Sequence, residues 1–279
     1  MSHKIWKRPK NLISSQEYAG NKLIAKMASQ KGFSAIIDEY AYIHPENVEK
    51  TFKIIPNSSE FIHGIGIDLG GGVGCISSTL AKRKNVEKIY CIELVEEVVT
   101  RCQPIVKHEI LKENDHKVIS VVGDFDNLDL ENNSIDFAVS WDSMHHSMNL
   151  IKTLKECKRV LKKNGVFIIV DRAHNNSTPN SEIQRMLNIV YDENFLTKFY
   201  RPKGTILTRK ENGEHEHRFF EWKNFFDASG FELIDSVVIK TESDENRKLK
   251  NDNNVNEIFV NYNLGAFGNR KVEFVLRSI

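Results

Sequence analysis

Hydrophobic and polar positions change their rhythm three times along the chain. Over residues 15–57 apolar side chains return at helical spacing: Leu23, Ile24 and Met27, then Ile36, Ile37 and Tyr40, then Val48 and Phe52, with Pro45 and Pro56 as punctuation. Over residues 61–171 short apolar runs alternate with amphipathic stretches. The runs at 65–67, 89–92, 118–122, 135–139 and 166–170 are rich in β-branched residues and almost wholly apolar, as strands become when helices cover both faces of a parallel sheet. Segments 77–84 and 150–163 supply two such helices. Leu150, Leu154, Cys157 and Leu161 recur at helical spacing in the second, and Gly165 stands where it should stop.

Beyond Asp171 the alternation breaks. Residues 181–199 read as one longer helix, and 205–208 with 215–219 as a hairpin across Glu211-Asn212-Gly213-Glu214, Asn-Gly being a strong turn signal. A short helix at 222–228 stops at Gly230. Strands at 231–240 and 272–276 close the chain, and the polar run 242–256 between them reads as a solvated loop. The expected organisation is a helical lid over 1–57 and a doubly wound α/β core over 58–279, with 175–220 inserted as helix plus hairpin.

Composition removes several alternatives. The 39 Lys+Arg against 38 Asp+Glu leave a formal charge of +1, without the basic excess of a protein that binds nucleic acid by neutralising phosphates. Cys75, Cys91, Cys102 and Cys157 form no C-x-x-C pair, which argues against a zinc ribbon or a disulfide framework and for reduced thiols in a cytoplasmic protein. No apolar run approaches the ~18 residues of a membrane span, and the basic start has no apolar stretch behind it. A soluble, unexported chain with no membrane partner is expected.

The first strand of the core runs into Asp68-Leu69-Gly70-Gly71-Gly72-Val73-Gly74. Glycine at a strand-to-helix turn permits backbone dihedrals costly to other residues and lets a ligand approach bare main chain. The dinucleotide pattern G-x-G-x-x-G fails from either Gly70 or Gly72, and the Gly-Lys-Ser/Thr of a phosphate loop is missing. What stands here resembles D/E-x-G-x-G-x-G, the first motif of the class I S-adenosylmethionine-dependent methyltransferases.

That resemblance extends over about 61–172. Glu93, with Leu94 after it, ends the second strand, where a carboxylate can accept both ribose hydroxyls. Asp124 and Phe125 end the third, where the family places an acid on the adenine amino group and an apolar neighbour against the ring. Leu161-Lys162-Lys163-Asn164-Gly165 is similar to the family's L-K-P-G-G, with Asn164 as a departure. The resemblance implies S-adenosyl-L-methionine as cofactor, S-adenosyl-L-homocysteine as product, and a seven-stranded, mostly parallel sheet of order 3-2-1-4-5-7-6. Each acid also has a plainer reading: Asp68 as a helix cap, Glu93 as a solvated strand end, Asp124 in an Asx turn.

The chemistry is sought at the next two strand ends. Ser140-Trp141-Asp142-Ser143-Met144-His145-His146 looks like the S/N-x-x-H-H segment of small-molecule methyltransferases, which implies Trp141 beside the cofactor, His145 or His146 as base, and Asp142 orienting an imidazole or touching the methionine end. The alternative is a histidine pair that packs and solvates. Asp171-Arg172-Ala173-His174 offers Arg172 and His174 to the acceptor, or Arg172 to an internal ion pair. Tyr18, on the lid, is a further acceptor contact. His215 and His217 share one face of the hairpin, but two histidines without a third ligand do not make a metal site; none is expected. The reading is transfer of a methyl group to a small molecule, a hydroxyl of a metabolite or sugar-like precursor, with oxygen preferred over nitrogen or carbon, and a homodimer contact on the insertion as one further use. A protein or nucleic-acid acceptor and a non-catalytic cofactor-binding subunit are the alternatives.

Overall fold

The computed structural model describes residues 3–41, 44–53, 58–239 and 269–279. The expected loop at 242–256, Tyr42, Pro56 and the end of the strand at Lys240 lie outside the described residues. Strand β1 is Lys4–Ile5; helices α1 (Lys10–Ile13), α2 (Gln16–Lys31) and α3 (Phe33–Ala35) follow, then a π-helical turn Ile36–Ala41 and α4 (Pro45–Thr51). The core continues β2 (Gly64–Leu69), α5 (Cys75–Ala81), β3 (Val86–Glu93), α6 (Gln103–Leu111), β4 (Val118–Val122), β5 (Ile135–Trp141), α7 (Leu150–Val160) and β6 (Leu161–His174). Helices α8 (Asn180–Leu187), α9 (Glu193–Lys198) and α10 (Phe219–Ser229) precede β7 (Phe231–Val238) and β8 (Asn269–Ser278).

The strands form one eight-stranded sheet in the order β1-β4-β3-β2-β5-β6-β8-β7. All neighbours pair parallel except those of β8, which runs antiparallel to β6 and β7. The expected seven-strand order is thereby corrected: Lys4 and Ile5 pair with Val121 and Val122 and add an edge strand, and two residues carry no readable periodicity. Without β1 the order is β4-β3-β2-β5-β6-β8-β7.

Apolar residues on alternate positions divide the core into two layers. In β6, Val166, Ile168 and Val170 join the cluster under α2, α5 and α6, while Phe167 and Ile169 join the one under α7 and α10. Close packing across β2 depends on Gly66, because a Cβ there would collide with the fully buried Phe137 ring on paired β5. Asn149 starts α7 by accepting from the Lys152 backbone N–H at 3.1 Å. That helix ends at Val160, short of the expected 163. Trp222 of α10 is fully buried, lies 5.7 Å from the Phe274 ring and donates its indole N–H to the Arg172 carbonyl at 2.9 Å.

Two expectations after β6 are corrected. The single helix over 181–199 is two, since Asp192 caps α9 by accepting from Phe195 N–H at 2.7 Å, and the Tyr191 N–H is committed to Leu207 O at 3.0 Å. The hairpin over 205–219 is absent among the described residues: Thr208 bridges to Val190, and Arg218 bridges to His174. The Asn212-Gly213 turn forms, with Gly213 at φ +82°, but the segment after it docks on the end of β6 because Glu214 and Glu216 ion-pair with Arg172 and His174 there. No helix among the described residues is long and apolar enough to cross a membrane.

Truncating the core side chain that links α10, β6 and β8 tests this packing. Trp222→Ala is expected to cost about 3–5 kcal/mol in denaturant unfolding, and Trp222→Phe less.

Candidate active site

Parallel strands β2 to β6 all end on one edge of the sheet, and a cavity of about 960 Å³ opens there. The turn after β2 supplies its floor. Gly70, Gly72 and Gly74 have φ of +71°, +50° and +82°, the left-handed region that favours glycine. A Cβ on Gly70 would strike Ser143, whose hydroxyl donates to the Leu69 carbonyl at 2.6 Å. Gly70 and Gly72 line the cavity; Gly74 does not, serving instead as the N-cap of α5.

Three acids stand around this turn. Asp68 is fully buried; one oxygen accepts from the Ser77 hydroxyl at 2.6 Å, and the other has no hydrogen-bond partner among the described residues. Burial raises its pKa to about 6 against the pull of Ser77. Glu93 accepts from Val95 N–H at 2.8 Å, and burial raises it to about 7. Asp124 is raised by burial and accepts from Asp126 N–H at 3.0 Å, so the Asx turn named as its plainer reading is present. All three line the cavity, with Leu94, Phe125 and Trp141 beside them. Trp141 is fixed edge-on against Phe52 at 5.9 Å.

The other half of the cavity is polar. Asp142, at φ +51°, ion-pairs with Lys271. His146 lines the cavity, its Nδ1 3.0 Å from Gly213 O and 3.2 Å from a Glu17 oxygen. Gly213 O is only an acceptor, so Nδ1 holds a proton, and in the neutral ring Nε2 has the lone pair. His145 does not line the cavity. Its Nδ1 lies 2.6 Å from Asp171, and its Nε2 3.6 Å from Glu214. Burial, with His146 and Arg172 adding to it, holds its pKa well below the ordinary value, so it is neutral. Arg172 lines the cavity and is paired with Glu214, not with the side chain of Asp171. Tyr18 and His174 lie off it: Tyr18 accepts from Arg8 at 3.4 Å, and buried His174 holds Glu216.

Sequence reasoning missed the groups that tertiary contacts bring in. Glu17 arrives from α2, and burial raises its pKa, His146 opposing and Glu214 adding to the rise. Glu214, Arg209, Arg201 and Tyr191 arrive from the segment after β6 and line the same cavity. Arg201 also bonds Gln16 O at 2.6 Å, tying that segment to α2. Only the acid-rich turn at 211–214 signalled any of them.

Residues 67–169 match the family described as Methyltransferase domain. That match, with the curated relatives below, supports a class I S-adenosylmethionine-dependent methyltransferase domain over these residues. Its similarity to the glycine/sarcosine/dimethylglycine N-methyltransferase of Actinopolyspora halophila is 28% identity over 142 residues, 50% of this chain and 24% of that protein. To the sarcosine/dimethylglycine N-methyltransferase of Aphanothece halophytica it is 29% over 136 residues, 48% of each. The match thus spans half or less of these curated relatives. Among solved structures, a putative sarcosine dimethylglycine methyltransferase from Galdieria sulphuraria has a TM-score of 0.55 at 16% identity, with 84% of each chain covered. Geranyl diphosphate C-methyltransferase from Streptomyces coelicolor A3(2) has a TM-score of 0.57 at 12% identity, with 88% of this chain and 83% of that one covered. These two share the fold.

The methyltransferase cofactor is S-adenosyl-L-methionine, and the residues present fit it on two counts. Gly70 and Gly72, at positive φ, line the cavity without side chains, and the buried Asp68 keeps one oxygen unpartnered among the described residues at the same turn.

Glu216 offers a test of the ionic network beside the cavity. Burial would raise it, but the hydrogen bond to His174 and the charges of Arg172 and Arg209 hold it at about 2, against 4.5 ordinarily. A depressed carboxylate stabilises the fold above pH 4.5, and that contribution is lost as pH falls toward about 2. The stability difference between wild type and Glu216→Gln in denaturant should therefore shrink across this window.

Proposed function

We propose that this methyltransferase transfers a methyl group to a small polar acceptor bound in the half of the cavity lined by Glu17, His146, Arg172 and Glu214, and that His146 takes the acceptor's proton. One observation carries the reading: cofactor-type and acid–base groups line a single cavity bounded by both α2 and the segment after β6. Residues 1–57 act as its lid, on the core 58–279 with 175–220 as insertion. Lid contacts support this: Arg8 donates to Leu94 O at 3.1 Å, Lys22 meets Glu97 at 2.7 Å, and Arg201 holds Gln16 O. Such a bounded site favours a small molecule over a protein or nucleic-acid acceptor. The four buried cysteines, none in a disulfide, agree with a cytoplasmic setting, and exposed Ile189, Val190 and Ile206 agree with a homodimer contact on the insertion.

Bound S-adenosylmethionine supplies an electrophilic methyl group on a sulfonium. Around it, the bare turn at Gly70 and Gly72 admits the cofactor to main chain, Glu93 accepts its ribose hydroxyls, and Asp124 with Phe125 holds its base. Leu94 and Trp141 close the walls. In-line displacement from a good leaving group needs alignment more than activation, so the acceptor's proton is the remaining task. His146 is the better base of the pair, because its ring lines the cavity and its Nε2 carries the lone pair. His145, tied to Asp171, positions it from below, the two ring centres 4.1 Å apart. Nitrogen is preferred here over the oxygen favoured by the sequence, since Glu17 lines the acceptor space and would hold a cationic amine. The similar curated N-methyltransferases lend support to that choice.

Calorimetry with S-adenosylhomocysteine is the first test. Glu93→Ala should weaken binding by about 1.5–3 kcal/mol, the worth of hydrogen bonds to a charged group; equal affinity would remove Glu93 from the site. With Glu93 near 7, wild-type affinity should rise with pH through neutrality as the carboxylate ionises, and Glu93→Gln should flatten that rise. With methyl-labelled cofactor and a panel of small amines and alcohols, His146→Ala should lose about 10²–10⁴-fold in turnover while still binding S-adenosylhomocysteine.

A further inference from the structure

We propose that His145, His146 and Glu214 form a binding site for one divalent transition-metal ion of the zinc class at the acceptor end of the cavity. Each offers one ligand atom, and the three atoms lie within 4.8 Å of one another. The hydrogen-bond pattern orients their lone pairs. Asp171 already accepts backbone N–H groups from His145 at 3.1 Å and Arg172 at 2.7 Å, so it accepts from His145 Nδ1 as well, and Nε2 is left bare. That nitrogen faces a Glu214 oxygen at 3.6 Å. Two lone-pair atoms thus oppose each other inside the protein, an arrangement that a cation relieves.

His146 completes the set in the same manner, its Nδ1 proton directed to Gly213 O at 3.0 Å. Two imidazoles and a carboxylate select zinc, cobalt or nickel over magnesium and calcium. Three protein ligands leave a fourth position, and His146 and Glu214 both line the cavity toward which it would open. Asp171 is the outer carboxylate that fixes ring and tautomer in such sites. The second group of nearby donors, Asp142, His145 and Asp171, is less suited: it uses the protonated nitrogen of His145, and Asp142 is paired with Lys271.

Two guanidiniums oppose the ion. Arg172 pairs with the same Glu214 oxygen, and Arg209 lies 3.8 Å from it. Both have another anion to hold: Glu216 is 4.0 Å from Arg172 and bonded to Arg209. Glu214 can therefore turn to a metal without orphaning either. A bound ion would occupy the lone pair of His146, so metal and methyl transfer exclude each other. That consequence rests on the proposed role of His146; the site itself does not.

The experiment uses the full chain, stripped with chelator, in equilibrium dialysis against Zn²⁺ and in visible absorption with Co²⁺. One ion per chain and a tetrahedral or five-coordinate Co²⁺ spectrum are expected. Glu214→Gln and His145→Ala should each weaken binding at least tenfold, and Asp171→Asn by about 10–100-fold. Calorimetry with S-adenosylhomocysteine on the same variants confirms that they are folded. Binding far below one ion per chain, or binding undiminished in folded Glu214→Gln and His145→Ala, overturns the site. Turnover of the metal-free chain tests the functional reading separately: activity without metal, inhibited by Zn²⁺ and restored by chelator, supports both proposals. Stoichiometric Zn²⁺ binding that leaves turnover unchanged would retain the site and reject the role of His146.

Discussion

Parallel strands that end on one edge of a sheet impose the central constraint on this molecule. Four of them deliver Asp68, Glu93, Asp124 and Asp142 to a common hollow. Carboxyl groups so placed lose water, and burial lifts Asp68 to about 6 and Glu93 to about 7. The fold holds Asp68 and Glu93 poorly solvated, and Asp68 with one oxygen unpartnered among the described residues, which opposes stability and favours any ligand that brings hydrogen-bond donors.

The remaining acids at that edge are balanced by internal partners. Asp171 is satisfied by His145 and two backbone amides, and Glu214 and Glu216 by Arg172, Arg209 and His174. This network does two jobs at once. It docks the segment after β6 onto the sheet in place of a hairpin, and through Asp171 it orients the His145 ring beside the cavity. Packing and acid–base chemistry are therefore coupled through the same side chains, and a change at Glu214 or Glu216 should be felt in both.

Much of the core was legible because its signals are local. The apolar runs of β2 to β6 show both the strands and their burial, and the glycines after Asp68 mark a turn whose positive φ values only glycine adopts cheaply. The acids at the strand ends could be named because direction and length of each run are readable. Segments without such periodicity were misread. Lys4–Ile5 is too short to carry a pattern, and the helix expected over 181–199 breaks where Asp192 caps a new start. The Asn212-Gly213 turn was correctly seen as a turn, yet its flanking strand partners are Val190 and His174 rather than each other.

By itself the sequence determined the layered α/β core, the glycine turn and the family of the cofactor, since these depend on contacts within a strand, a turn and a helix close in the chain. Tertiary structure alone decided which histidine faces the cavity and which acids meet it. Glu17 and His146 are 129 positions apart in the numbering and touch at 3.2 Å; His145 and Asp171 are 26 apart and touch at 2.6 Å. Hydrogen bonds of this kind depend on distance and angle in space, and no local propensity encodes them.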